Sequence, residues 1–291
     1  MTTNNILLMR AETFVHAGAG SGNGLIDLPI MREAHNNWPV IFGSAVKGAF
    51  RAKACPDGNL SKEQKNWFGN DSESGDGAGA LMFGDARLLW LPVRSLNSHT
   101  LWVTSPSVLS RFARDMRRMG KTEFKDQNTK NLLSENQAAT LRQNTDEKLN
   151  QLILEDFCLE LISKNTHQAN QWLESLKEQL CKKTKTNDLL GQEMEQKLVM
   201  VSDQVFSHLC TMATPVTPHV KLEAQTKANE NLWYVETLPP ETMLYSTLVC
   251  SDRLDKETDA DTNKLFTGYV QIGGNETTGM GWFEVNRWEA K

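Results

Sequence analysis

The chain has 291 residues, 39% hydrophobic and 23% charged, and its 31 Lys and Arg against 36 Asp and Glu leave a net charge of −5. That length supports one large core or two smaller ones, and the charge excludes a generally basic nucleic-acid coat. No apolar run approaches the roughly 20 residues that span a bilayer, and Met1-Thr2-Thr3-Asn4-Asn5 is not a secretory signal, so a cytoplasmic protein is expected.

Ile6-Leu7-Leu8-Met9-Arg10-Ala11-Glu12-Thr13-Phe14 is short and apolar, which predicts a buried first strand with His16 just past its end. A Gly, Ala and Ser loop then leads into Leu25-Ile26-Asp27-Leu28-Pro29-Ile30, where Pro29 excludes a central strand. Gly43-Ser44-Ala45-Val46-Lys47-Gly48-Ala49-Phe50-Arg51 predicts a helix with Ser44 as its N-cap. Ser44, Lys47 and Arg51, at i, i+3 and i+7, share one face, while Val46 and Phe50 anchor the other. Residues 69–79 form a polar Gly, Ser and Asp tract.

Ala80–Phe83, Ala86–Trp90 and Leu101–Thr104 read as strands, and Pro106 opens a helix. Residues 87–125 hold eight Lys and Arg against two acids, with Arg111, Arg114, Arg118 and Lys121 at helical spacing. That stripe is either a track for a polyanion or an ordinary solvated helix face. Residues 123–209, rich in Gln, Asn, Lys, Glu and Leu, place Leu152, Asp156, Leu159 and Ser163 at helical spacing and read as a helical insertion without chemistry. Thr214–Leu222 and Leu232–Glu236 predict a long hairpin, Leu238-Pro239-Pro240-Glu241 a break, and Met243–Val249 a further strand. Asp261–Tyr269 reads as a helix halted by Gly273-Gly274, and Phe283–Trp288 as the strand that closes the sheet. The order of elements predicts an α+β fold. Cys55, Cys158, Cys181, Cys210 and Cys250 contain no Cys-x-x-Cys pair, which fits a reducing compartment and not a zinc knuckle.

Three stretches carry candidate chemistry. A cap at Ser44 would set helix N–H groups and the positive dipole end beside Lys47 and Arg51, an arrangement suited to phosphate; the alternative is a plain capped amphipathic helix. Ser44-Ala45-Val46-Lys47 also matches the Ser-x-x-Lys of penicillin-binding enzymes. Ser202-Asp203-Gln204 and Lys183-Thr184-Lys185 replace the Ser-Asp-Asn and Lys-Thr-Gly those enzymes need, so hydrolysis through Ser44 is rejected. Asp27 suits a magnesium ligand shared with phosphate and water, or else caps a turn before Pro29; His16 reads as a strand-end histidine satisfied by the backbone. Gly273–Gly281, with four glycines in nine residues, is neither a P-loop nor a dinucleotide fingerprint and serves as a tight turn or a backbone contact to nucleic acid.

Six blocks in order, Ile26-Asp27-Leu28-Pro29-Ile30-Met31-Arg32-Glu33, Gly43-Ser44-x-x-Lys47-Gly48-x-x-Arg51, Phe83-Gly84-Asp85-Ala86-Arg87-Leu88-Leu89, Pro92-Val93-Arg94-Ser95-Leu96, Leu238-Pro239-Pro240-Glu241 and Ile272-Gly273-Gly274-Asn275-Glu276-Thr277-Thr278-Gly279, closely resemble the backbone subunits of type III-B (Cmr) CRISPR effectors, members of the RAMP superfamily. The resemblance runs from residue 6 to residue 285, and only the helical insertion and residues 69–79 lack a counterpart. It implies a ferredoxin-like, RRM-type palm with an antiparallel sheet over residues 1–122 and 238–291, a helical block over 123–209 and a protruding thumb β-hairpin over 210–237.

The same resemblance implies a function. Several copies would stack along a crRNA, and the protein would cleave complementary single-stranded target RNA at regular intervals with Mg²⁺ or Mn²⁺. Expected partners are crRNA, target RNA, further copies of the chain, a large polymerase/cyclase-type subunit, small helical subunits and a 5′-handle-binding subunit, with no membrane. Ser44, Lys47 and Arg51 would hold the guide backbone with Gly273, Gly274, Asn275, Thr277 and Thr278. Val216, Val220, Trp233 and Glu236 would wedge the guide–target duplex. Asp27 would hold the metal against the scissile phosphate, with His16 as an accessory. The family commonly has Glu-Glu-Tyr before Leu-Pro-Pro; Val235-Glu236-Thr237 stands here, leaving Glu236 as the acidic candidate in the thumb. The alternatives are a non-catalytic scaffold and a free-standing guide-processing endoribonuclease. The latter needs a histidine-centred site, and the six histidines form no sequence cluster.

Overall fold

Four consecutive buried residues, Ile6, Leu7, Leu8 and Met9, put protein on both faces of the first strand, the pattern of a strand in the middle of a sheet. The computed structural model describes residues 3–22, 24–69, 77–130, 132–142, 150–162, 167–182, 187–251 and 264–288. In chain order the elements are β1 (Thr3–Ala11), β2 (Val40–Ile41), α1 (Gly43–Ala54), α2 (Lys62–Phe68), β3 (Leu81–Phe83), β4 (Ala86–Ser95), β5 (His99–Thr104), α3 (Pro106–Arg118), β6 (Gln137–Thr140), β7 (Gln151–Leu154), β8 (Phe157–Leu161), α4 (Gln168–Cys181), α5 (Asn187–Lys197), β9 (Leu198–Val201), α6 (Asp203–Met212), β10 (Val216–Leu222), β11 (Asn229–Glu236), β12 (Met243–Cys250), β13 (Gly268–Gln271) and β14 (Trp282–Trp288).

β1 lies between β12, where Ile6 faces Thr247, and β14, where Ile6 faces Trp288. The described strands form one 12-stranded sheet along β13-β14-β1-β12-β4-β5-β9-β6-β8-β7, with β2 beside β4 and β3 beside β12. β10 and β11 stand apart as a two-stranded ribbon. The fold is α+β, as expected. The sheet is not purely antiparallel: β5–β9 and β6–β8 are parallel pairs, each joined by the long connection that parallel neighbours require.

Helix α1 buries Val46 and Phe50 completely, and the Phe50 ring packs edge-on against Phe266 with centroids 5.1 Å apart. Its start departs from expectation. The N-cap position is Phe42, whose side chain makes no cap bond, and Ser44 already lies inside the helix. The Asp85 carboxylate takes the cap's place, accepting from the Gly43 N–H at 2.8 Å. Gly43 is required there, because a Cβ would sit 2.5 Å from the Phe83 carbonyl oxygen. α3 begins as predicted, with Pro106 in its first turn and the Ser105 side chain accepting from Val108 N–H.

The stretch expected to be a helical insertion, 123–209, is mixed: strands β6 to β8 come first, then helices α4 and α5, strand β9 and the start of α6. β9, buried throughout, pairs with β5 and carries this stretch into the main sheet. Leu152 and Leu159 are not successive turns of one helix but directly opposed residues of the β7–β8 hairpin, turning at Glu155 (φ 46°) and Asp156. A seven-residue spacing fits both geometries, and the turn decides between them. Ser163 lies outside the described residues, as do 70–76 and 261–263. Tyr269, expected on a helix, sits in β13. Among the described residues no helix is long and apolar enough to cross a membrane.

Candidate functional site

The loop bearing Asp27 is held against the foot of the β10–β11 hairpin by backbone pairing. Leu28 forms a parallel bridge with Val235, its N–H donating to Tyr234 O at 3.0 Å while Glu236 N–H donates back to Leu28 O at 3.0 Å. The next rung, Ile30 N–H to Glu236 O, is not made: Ile30 N–H donates to the Glu236 carboxylate, and the Glu236 carbonyl accepts from His16 Nδ1. One Asp27 carboxylate oxygen, Oδ2, accepts from Tyr234 N–H at 2.7 Å. The residue is exposed, and its other oxygen has no protein partner among the described residues.

His16 approaches the same foot from the other side. It is 8% exposed, and its Nδ1 lies 2.8 Å from the Glu236 carbonyl oxygen. A carbonyl only accepts, so Nδ1 carries the proton and a neutral ring keeps Nε2 as an acceptor. The glycine loop wraps this histidine: Gly274 N–H donates to His16 O at 2.8 Å. A Cβ on Gly273, whose φ is 105°, would lie 2.6 Å from that same oxygen. Gly281 is needed for the same reason, since its Cβ would collide with the Ile272 carbonyl oxygen, so packing explains two of the loop's four glycines. Asn275 (φ 61°) then turns the chain into a 3₁₀ turn over Glu276–Thr278, leaving Asn275, Thr277 and Thr278 exposed.

Glu236 does not face outward. It is 2% exposed, and its carboxylate accepts from Ile30 N–H at 3.0 Å, from the Thr214 hydroxyl at 2.6 Å and from the Arg32 guanidinium. It cannot wedge a duplex, because the hairpin has already rejoined the body of the protein at its position. Val216, Pro218, Val220 and Leu222 on β10 and Leu232 and Tyr234 on β11 are exposed and share one face of the ribbon. Trp233 is on the other face, stacked on His219 at 5.7 Å between centroids. The four expected wedge residues thus divide into two on an apolar face, one on the opposite face and one inside. Alternation along 216–222 signals the apolar face; that Leu232 and Tyr234 complete it follows only from the register.

The chain is similar to known proteins over nearly its whole length. A model of the RAMP superfamily matches residues 8–284. The CRISPR system Cmr endoribonuclease Cmr4 of Pyrococcus furiosus is 34% identical over 286 residues, covering 94% of this chain and 92% of the relative. The chain belongs to the RAMP superfamily, in its Cmr4 branch. The CRISPR system CMR subunit Cmr4 of Saccharolobus solfataricus is 24% identical over 307 residues, covering 96% and 94%. The crystal structure of oligomeric Cmr4 from Pyrococcus furiosus matches with a TM-score of 0.74 at 27% identity, over 99% of this chain and 98% of that one.

In this RAMP chain the expected phosphate helix is altered in one respect. The Asp85 carboxylate occupies the N-terminus of α1, so the dipole end is already met by a negative group. The side-chain face carries exposed Ser44 and half-buried Lys47, which has no ion-pair partner among the described residues, with Arg51 one turn on. α1 packs on β13, Lys53 Nζ donates at 2.9 Å to the carbonyl of Thr267 just before that strand, and β13 runs directly into the Gly273 loop. Burial holds the Lys53 ammonium below its ordinary pKa.

The basic stripe of α3 is largely spent inside the RAMP fold. Arg111 binds Glu33 at 2.7 Å and lies over the Trp38 ring, Arg114 reaches Asp126 at 3.8 Å, Arg118 binds Asp115 at 2.9 Å, and Lys121 is buried. Asp115 also accepts from Arg87 and from the Tyr245 hydroxyl. Spacing showed a common face but not the acids packed against it. Among the described residues, no group of three His, Cys, Asp or Glu side chains is placed to hold a metal by itself.

Proposed function

We propose that this chain is the guide-RNA-binding backbone subunit of a type III-B Cmr complex, stacked in several copies along a crRNA in the cytoplasm, and that it cleaves complementary single-stranded target RNA at regular intervals. The observation that carries this reading is the Asp27 carboxylate, exposed at the foot of the hairpin and bonded to Tyr234 N–H. The name of the Pyrococcus furiosus relative, an endoribonuclease, supports the activity, and the oligomeric crystal form of its structure supports the stacking. Other partners on this reading are the large polymerase/cyclase-type, small helical and 5′-handle-binding subunits.

The sheet that carries β1 and β12 acts as a ferredoxin-like palm and the β10–β11 ribbon as a thumb. Ser44, Lys47 and Arg51 take guide phosphates, and the exposed loop residues Asn275, Thr277 and Thr278, with Gly273 and Gly274 beside them, approach the same strand; base pairing reads the sequence while the protein holds the backbone. The apolar face of the thumb enters the guide–target duplex and unstacks it. That distortion is what the chemistry needs, since in-line attack by a 2′-hydroxyl requires a geometry that a regular A-form helix denies.

The residues fit a metal shared with RNA. Asp27 offers one oxygen without a protein partner among the described residues, where no group of three His, Cys, Asp or Glu could hold a metal alone, which suits a hard cation that completes its shell with phosphate and water. When bound, Mg²⁺ or Mn²⁺ stabilises negative charge developing on the phosphate. Asp27 orients that cation at the thumb foot. His16, its Nδ1–H committed to Glu236 O, is an accessory contact to the same phosphate only as an imidazolium, since a neutral ring offers Nε2 as an acceptor to an anion that donates nothing.

The test is reconstitution on a crRNA with Asp27→Ala. Assembly and target binding at wild-type level with loss of the periodic cuts supports the reading; unchanged cuts defeat it and leave an RNA-binding scaffold.

A further inference from the structure

Glu236 takes no part in the chemistry just described, yet five hydrogen bonds meet on it. Its carboxylate holds Ile30 N–H, Thr214 Oγ1 and Arg32; its N–H donates to Leu28 O; its carbonyl accepts from His16 Nδ1. Arg32, the charge partner, has its other terminal nitrogen on the carbonyls of Asn37 at 2.7 Å and Cys210 at 2.8 Å. Cys210 lies in the last turns of α6. One ion pair, with Glu236 buried and Arg32 partly so, therefore ties together the loop that begins at Asp27, the end of α6 and the foot of the hairpin.

Such a pair is a poor source of stability, because desolvating two charges offsets most of their attraction, and well-packed apolar residues often do as well. Its distinctive effect is geometric. The Asp27 loop meets β11 through a single parallel bridge, Leu28 to Val235, a pairing too short to specify its own register. The Glu236 carboxylate adds a bond to Ile30 N–H two residues further along and a bond to Arg32 beyond it, which fix where residues 27–32 lie on the strand.

We propose that Glu236 is a positioning residue for RNA cleavage: its buried carboxylate locks residues 27–32 onto the thumb foot, so that the Asp27 carboxylate stays in register with Tyr234 N–H. This rests on the reading of Asp27 as the cleaving group. The backbone bonds of Glu236 to Leu28 and His16 survive a change of side chain, so a substitution isolates the carboxylate.

Glu236→Gln keeps length and volume while removing the charge and replacing one acceptor by a donor. In the complex assembled on crRNA, we expect target-RNA Kd within twofold of wild type and single-turnover cleavage about 10- to 100-fold slower, the cost of a displacement on the order of 1 Å at the reacting centre. Placed on top of Asp27→Asn, the same change slows residual cleavage no further, since the carboxylate acts through Asp27. Wild-type cleavage by Glu236→Gln beside a slow Asp27→Asn overturns the positioning role alone. A proportionate loss of binding and cleavage overturns it too, as the mark of a merely structural residue. Wild-type cleavage by Asp27→Asn overturns the reading beneath it. Should Glu236→Gln fail to enter the complex, Thr214→Val, which deletes one donor to the carboxylate, decides: a several-fold slower cut at unchanged Kd supports the clamp, and a full-rate cut refutes it.

Discussion

The N–H of Tyr234 donates to the Asp27 carboxylate at 2.7 Å across 207 residues of chain, so the side chain proposed to cut RNA is bonded directly to the strand proposed to distort it. Because loop and hairpin share backbone bonds, a displacement of the hairpin foot carries Asp27 with it. Cuts spaced as the hairpins are spaced follow from that linkage.

Removal of the Asp27 carboxylate is therefore expected to abolish cleavage without loosening the fold. The residue is exposed and contributes one hydrogen bond to the hairpin. Asp27→Ala should cost about 1 kcal/mol or less of stability. Denaturing gels of labelled target RNA, alongside a thermal melt, separate the two effects.

Val220 and Leu232 face each other on the apolar side of the ribbon and are 48% and 46% exposed. Replacing both with Ser should change unfolding free energy by about 0.5 kcal/mol or less, as for other surface positions. If this face enters the duplex, cleavage falls several-fold while guide binding holds. Equal cleavage by the double variant removes the apolar face from the mechanism.

Lys47→Ala with Arg51→Ala should weaken guide binding and flatten its dependence on salt. Each phosphate contact to a single strand contributes about 0.7 to the slope of log K against log salt, so losing two lowers it by about 1.4. Filter binding or fluorescence anisotropy at several salt concentrations measures the slope. A lower affinity with an unchanged slope would mean that α1 does not touch phosphate.

Alkaline pH should destabilise the purified chain. Burial pushes up the Cys210 thiol, and burial together with the Asp115 charge and hydrogen bond pushes up the Tyr245 hydroxyl. The folded chain keeps both protons where the unfolded chain has lost them. This stability is complete below the ordinary pKa values of 9.0 and 10.0 and declines as pH rises past them, by about 1.4 kcal/mol per pH unit for each group. Urea unfolding from pH 8 to pH 10.5 should show the decline, and Tyr245→Phe should reduce its slope above about pH 10.

Much of the architecture was legible in local pattern. The buried run at Ile6–Met9, Pro106 opening α3, Val46 and Phe50 on one face of α1, and the alternation along 216–222 all reported true surroundings. Errors came where a distant group took over a local role. The Ser44 cap was displaced by Asp85, 42 residues from Gly43, and the spacing of Leu152 and Leu159 fitted a hairpin as well as a helix. The arginine stripe on α3 met Glu33, Asp115 and Asp126, acids that its own periodicity could not reveal.

The sequence by itself determined most element types outside 123–209 and 261–269, the apolar faces and the six ordered blocks that place the chain among RAMP proteins, because these depend on side-chain type and near-neighbour spacing. It also singled out two acids, Asp27 as the holder of a metal and Glu236 as an acid of the thumb wedge. Only the tertiary structure showed how differently they are placed. Asp27 ends up exposed with an oxygen unengaged, and Glu236 buried against Arg32, Thr214 and Ile30. The difference lies in long-range pairing between residues 27–32 and β11, which desolvates one carboxylate and leaves the other in water.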